Sequence, residues 1–170
     1  MKYRFLATVL LVFVVAASGM AQTKMSGSGT CGKADVEHSI AVPDSPGQTF
    51  AIMQGKCTWS KPWEIEGQAT TGGATTIFAH TIGNTVHQSE VYVDTFASGD
   101  KVFYSYSETG TLKNNVPQPS KGKWTITSGT GKLKGIKGSG TCSITPAADG
   151  SVAFECAGEY TMPAAKPAKK

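Results

Sequence analysis

Ile77-Phe78-Ala79-His80-Thr81-Ile82-Gly83-Asn84-Thr85-Val86-His87-Gln88-Ser89-Glu90-Val91-Tyr92-Val93-Asp94-Thr95-Phe96-Ala97-Ser98-Gly99-Asp100-Lys101-Val102-Phe103-Tyr104-Ser105-Tyr106 reads as three β-strands joined by two tight turns. Ile82-Gly83-Asn84-Thr85 suits a two-residue hairpin with glycine first, where positive φ carries no steric cost. It predicts Thr81 opposite Val86, His80 opposite His87 and Phe78 opposite Ser89. Ala97-Ser98-Gly99-Asp100 reads as the second turn, predicting Phe96 opposite Lys101, Asp94 opposite Phe103, Val93 opposite Tyr104 and Val91 opposite Tyr106. Side chains alternate between faces along a strand. One face therefore gathers Phe78, His80, Ile82, His87, Val91, Val93, Val102, Tyr104, Tyr106 and Glu108; the other gathers Ile77, Val86, Gln88, Glu90, Tyr92, Asp94, Phe96, Phe103 and Ser105. The first is the expected interior: largely apolar with a few polar handles, as a ligand pocket in a barrel is.

The same period of two recurs on both sides of this stretch. Val36, His38, Ile40 and Val42 alternate with polar residues, as do Trp124 and Ile126, and Val152, Phe154, Cys156, Tyr160 and Met162 alternate with Ser151, Glu155, Glu159 and Thr161. Six or more such segments with short turns imply an antiparallel sheet closed into a barrel, with a β-sandwich as the alternative. Composition agrees: 170 residues with 39% hydrophobic, 16% charged and 20 glycines suit one β domain, because glycine and threonine are poor in helix interiors.

The first 21 residues are expected to be a signal peptide: Lys2 and Arg4 precede an apolar run from Phe5 to Ala17, then small residues at Ser18-Gly19-Met20-Ala21. The run is too short to span a membrane, and no second apolar segment follows. A single domain over residues 22–162 and a disordered Pro/Ala/Lys tail over residues 163–170 complete the expected organisation, and the exported chain would be periplasmic or extracellular. Without Lys2 and Arg4 the basic residues number 14 against 12 acidic, and the tail lysines account for more than that excess. Lys121, Lys123, Lys132, Lys134 and Lys137 are read as a solvated edge that discourages strand pairing between molecules; no aromatic platform accompanies them, so no specific nucleic-acid partner is expected.

Four cysteines in an exported chain favour disulfides. A three-residue loop at Ala148-Asp149-Gly150 pairs Ala147 with Ser151, Ile144 with Phe154 and Cys142 with Cys156, which predicts a Cys142–Cys156 bond and leaves Cys31–Cys57 by subtraction. There is no C-x-x-C spacing for zinc, and neither a metal nor a cofactor is expected.

The segment Gly122-Lys123-Trp124-Thr125-Ile126-Thr127-Ser128-Gly129-Thr130-Gly131-Lys132-Leu133-Lys134-Gly135-Ile136-Lys137-Gly138, read as a strand, a Gly-Thr-Gly-Lys turn and a glycine-interrupted strand, resembles the late hairpin of the allene oxide cyclase and dirigent barrel group. Ser98-Gly99-Asp100-Lys101-Val102-Phe103 and the ending Gly158-Glu159-Tyr160-Thr161 resemble small secreted bacterial proteins of that type. The resemblance spans Asp94 to Thr161. It implies an eight-stranded barrel of allene oxide cyclase, dirigent or calycin-like architecture with a central cavity, and carries no catalytic residue across.

Common catalytic signatures are missing. Lys132 is followed by Leu133 rather than Ser or Thr, which fails the phosphate-loop pattern, and there is neither a G-x-S-x-G elbow nor an H-E-x-x-H pair. The expected pocket is His80, His87, Tyr104, Tyr106 and Glu108. Paired histidines on a ladder have Cβ atoms about 4.5–5.5 Å apart, so His80 and His87 are candidates for acid/base work or for the barrel rim. The expected function is non-catalytic binding of a small amphipathic ligand or action as an interaction module; the alternative is a barrel isomerase or cyclase with His80, His87, Tyr104 or Glu108 as acid/base groups.

Overall fold

Strand-forming segments follow one another with little between them. In chain order they are β1 (Thr23–Cys31), β2 (Val36–Ala41), β3 (Gln48–Lys61), β4 (Glu64–Ile65), β5 (Gln68–Ile82), β6 (Thr85–Phe96), β7 (Lys101–Lys113), β8 (Val116–Pro117), β9 (Ser120–Gly129), β10 (Lys137–Pro146) and β11 (Val152–Thr161). The structure is a computed structural model and describes residues 22–164; the expected signal segment, and all of the expected tail but Pro163 and Ala164, lie outside the described residues.

Eight strands form a ring in the order β3-β1-β11-β10-β9-β7-β6-β5, every neighbour antiparallel, and pairing of β3 with β5 closes it. Closure removes free edges from the ring and excludes the sandwich. β2 runs along β3 beyond the end of β1, while the short β4 and β8 fold back on β5 and β7. Two disulfides tie directly paired positions, Cys31 to Cys57 across β1–β3 and Cys142 to Cys156 across β10–β11.

The β5–β6 hairpin has the register its turn predicts, with His80 opposite His87 and Phe78 opposite Ser89. The β6–β7 hairpin does not. Thr95, rather than Phe96, faces Lys101, so Asp94 faces Val102, Tyr92 faces Tyr104 and Glu90 faces Tyr106. The loop is Ala97-Ser98-Gly99, closed by Phe96 N–H to the Asp100 carbonyl (2.9 Å) with Gly99 at φ 86°. A three-residue loop ending in left-handed glycine shifts the register by one residue, and one residue exchanges every side chain between faces. Tyr104, Tyr106 and Glu108 do point inward, but the inward partners on β5 and β6 are Thr75, Ile77, Ala79, Gln88, Glu90, Tyr92 and Asp94. Phe78, Ile82 and Val91 lie on the outer wall, each about half exposed.

One end of the barrel is plugged. The β4–β5 hairpin and a single 3-10 turn at Gly131–Leu133 bring in Trp63, Ile65 and Leu133, which with Phe96, Val102 and Ile136 are all at most 3% exposed. The turn replaces the early part of the strand expected after Gly-Thr-Gly-Lys: Lys132 N–H binds the Asp100 carboxylate, and β10 starts only at Lys137. All five lysines between Lys121 and Lys137 are exposed.

Strand glycines act as seats for inward aromatic rings. The Trp124 ring lies over Gly140 and Gly158 and the Tyr106 ring over Gly122, close enough that a Cβ at any of the three would collide with it. Absence of side chains on the wall makes room for large rings inside a ring of only eight strands.

Candidate functional site

Above the plug lies a cavity of about 770 Å³, bounded at its far end by Glu37 and Ser39 of β2, Thr81, Val86, Val116 and the Ala147–Ser151 turn. Strand register stacks its walls in layers. The lowest is Asp94, fully buried, whose Oδ1 accepts Trp59 Nε1–H at 2.8 Å and whose Oδ2 accepts Trp63 Nε1–H at 3.0 Å. Burial pushes the Asp94 carboxyl up to about 6, even though both indole donors favour its ionised form.

Tyr92 and Tyr104 face each other in the next layer. Burial, and then the charge of Asp94, push both phenols well above their ordinary value. Neither hydroxyl has a partner in good hydrogen-bonding geometry. One layer further, Glu90 of β6 lies opposite Tyr106 of β7, with Trp124 of β9 on the other side of Tyr106. The Thr75 hydroxyl donates to Glu90 Oε1; desolvation raises the Glu90 carboxyl and the nearby charge of Glu108 adds to it. Glu108 Oε2 accepts from Tyr106 Oη at 2.7 Å and Ser120 Oγ at 2.8 Å. Trp124 is 3% exposed and its Nε1–H has no partner.

The aromatic groups are continuous: Trp63 lies 4.8 Å from Trp59 and 5.4 Å from Trp124, and Tyr104 lies 5.9 Å from Trp124, centre to centre. Charge along the lining is of one sign. Glu37, Glu90 and Glu108 line the cavity, and among the described residues no lysine, arginine or histidine does.

Of the five expected pocket residues the structure therefore brings together three, Tyr104, Tyr106 and Glu108. His80 and His87 are opposite one another but on the outer wall, because of the register difference at Gly99. His80 stacks on Phe50 at 4.1 Å and accepts from Gln48 Nε2 at 2.8 Å; His87 Nδ1 lies 3.2 Å from Thr109 Oγ1. Acid/base chemistry inside the cavity has no histidine to draw on, and among the described residues no three His, Cys, Asp or Glu converge as a metal site. Sequence reasoning missed Glu90, Tyr92 and Asp94, which it placed outside, and did not single out Trp59 or Trp63.

No family model matches the chain, and no curated protein does. Among solved structures it is similar to a pterocarpan synthase dirigent protein, with 12% identity over 88% of this chain and 91% of that one and a TM-score of 0.48.

Proposed function

We propose that the protein is an exported binding protein that holds a small amphipathic ligand in the barrel without chemically transforming it. The observation that carries this reading is the cavity itself: about 770 Å³ lined by aromatic rings, with polar groups at mid-depth that have no protein partner. A buried donor without an acceptor costs about 1–3 kcal/mol, and a bound molecule or water recovers it. Export is supported by the basic and apolar N-terminal pattern and by two disulfides, which persist in oxidising compartments. The domain is taken to be residues 22–162.

Native mass spectrometry of the exported chain tests the reading. The expected result is an adduct of a few hundred daltons that is lost on denaturation; a bare mass from every gentle preparation, together with no uptake of added amphiphiles, overturns it.

A further inference from the structure

Charge and aromaticity of the cavity narrow the ligand class, an inference that rests on the binding reading above. Glu90 and Glu108 occupy adjacent layers of neighbouring strands and sense one another through the cavity. Bringing two like charges into a partly desolvated space is unfavourable, and is relieved either by a proton on one carboxyl, the direction in which Glu90 is pushed, or by an opposite charge that joins them. Among the described residues no side chain supplies one, because every charged residue on the lining is acidic. Thr75, Tyr106 and Ser120 donate neutral hydroxyls to the pair, Gln88 lies opposite Glu108 and Ile77 opposite Glu90, and Tyr92 and Asp94 lie below them.

Aromatic faces surround the same layer. Tyr106 and Trp124 are neighbours across β7–β9, with Tyr104 and Trp63 within 6 Å of the Trp124 ring. Rings of this kind attract cations through their quadrupole, most strongly where water is excluded. The unpaired Trp124 Nε1–H, 3% exposed on the cavity wall, independently shows that the chain leaves this layer incomplete and open to a bound molecule or the water that accompanies it.

We propose that the cavity takes an amphipathic organic cation, an apolar chain or ring system bearing an amine or quaternary ammonium group, with the cationic centre between Glu90 and Glu108 and against the Tyr106 and Trp124 rings. A fatty acid or other anionic amphiphile is disfavoured by the same carboxylates. A bare metal ion is disfavoured by the aromatic lining and by the hydroxyls that already occupy carboxylate oxygens.

All three tryptophans of the chain, Trp59, Trp63 and Trp124, line the cavity, so intrinsic fluorescence reports its occupancy. The exported chain is titrated with decyltrimethylammonium, decanol and decanoate below their micellar concentrations. The ammonium is expected to bind about tenfold or more tighter than decanol, and decanoate more weakly than decanol. Glu90→Gln/Glu108→Gln is expected to erase that preference by weakening ammonium binding about tenfold; native circular dichroism and two intact disulfides certify its fold. Should the double variant misfold, Glu90→Gln and Glu108→Gln singly are each expected to lose about threefold in ammonium affinity. Decanol or decanoate binding as tightly as the ammonium, or variants that retain the preference, overturns the cation assignment and leaves the binding reading standing. No fluorescence response to any of the three overturns the binding reading, and the assignment falls with it.

Discussion

At the plugged end of the barrel Asp94 is buried with an indole donor on each carboxylate oxygen, whereas two and three layers higher Glu90 and Glu108 face a cavity and Trp124 keeps an unused donor. Both regions are built on β6, β7 and the strands beside them, and both place carboxylates among aromatic rings. The difference is saturation. Below, indole donors satisfy both oxygens of the buried Asp94, which thereby contributes to one well-defined packing. Above, it stops short, and what is left unsatisfied defines a space for something else. A carboxylate here is structural where it is sealed off from the cavity, as Asp94 is, and receptive where it lines the cavity, as Glu90 and Glu108 do although chain hydroxyls reach one oxygen of each.

Breaking the saturated end is expected to have the largest effect. Asp94→Leu leaves the Trp59 and Trp63 N–H groups buried without an acceptor, and unfolding in urea is expected to show a loss of about 2–4 kcal/mol. A loss below about 1 kcal/mol would mean that the plug, rather than the Asp94 cluster, holds that end. Next in size is Gly140→Ala, whose Cβ meets the Trp124 ring and the Ala157 carbonyl; overpacking of this kind costs about 1–3 kcal/mol. Near-UV circular dichroism is expected to change with it, because the ring must move.

Acidity sharpens the comparison. Asp94 titrates near 6 in the folded protein and lower in the unfolded chain, so the native state binds the proton more tightly. Stability from this group therefore rises as pH falls from about 6 towards 4, by about 1 kcal/mol per pH unit within that window. Wild type minus Asp94→Asn, measured by urea unfolding at pH 7, 6 and 5, isolates the effect; a difference that does not change with pH removes Asp94 as its source. The smallest effect is expected at the outer wall. His80→Ala and His87→Ala are expected to leave stability within about 0.5 kcal/mol and amphiphile binding unchanged. A tenfold loss of binding in either would place these side chains in the site after all.

The pair of turns shows how near the fold lay to full legibility. Ala97-Ser98-Gly99 and Ala148-Asp149-Gly150 form the same three-residue loop, each ending in glycine at φ 86° or 84°, each closed by the same pattern of backbone bonds. Reading the second as three residues places Cys142 opposite Cys156. Reading the first as four residues reverses the faces of β5 and β6 relative to β7. Hydrophobicity reinforced that reversal, because Phe78, Ile82 and Val91 on the outer wall are more apolar than Gln88, Glu90 and Asp94 inside. In a barrel that encloses a cavity rather than a solid core, the inward face is not the greasier one.

Alternation, turn residues and cysteine parity by themselves determined an antiparallel all-β chain, the β5–β6 and β10–β11 hairpins, the inward Trp124, Ile126, Phe154 and Tyr160, and the Cys142–Cys156 pairing. Such features are local, set by side-chain period and by what glycine permits in a turn of a few residues. Only the tertiary structure decided closure through β3 and β5, the plug formed by the β4–β5 hairpin and the turn at Leu133, and the meeting of Trp59, Trp63 and Asp94 across more than 30 residues of chain. Those contacts join segments distant in sequence, and their geometry depends on the accumulated register of every intervening strand, so a single residue at Gly99 was enough to decide which side chains share the cavity.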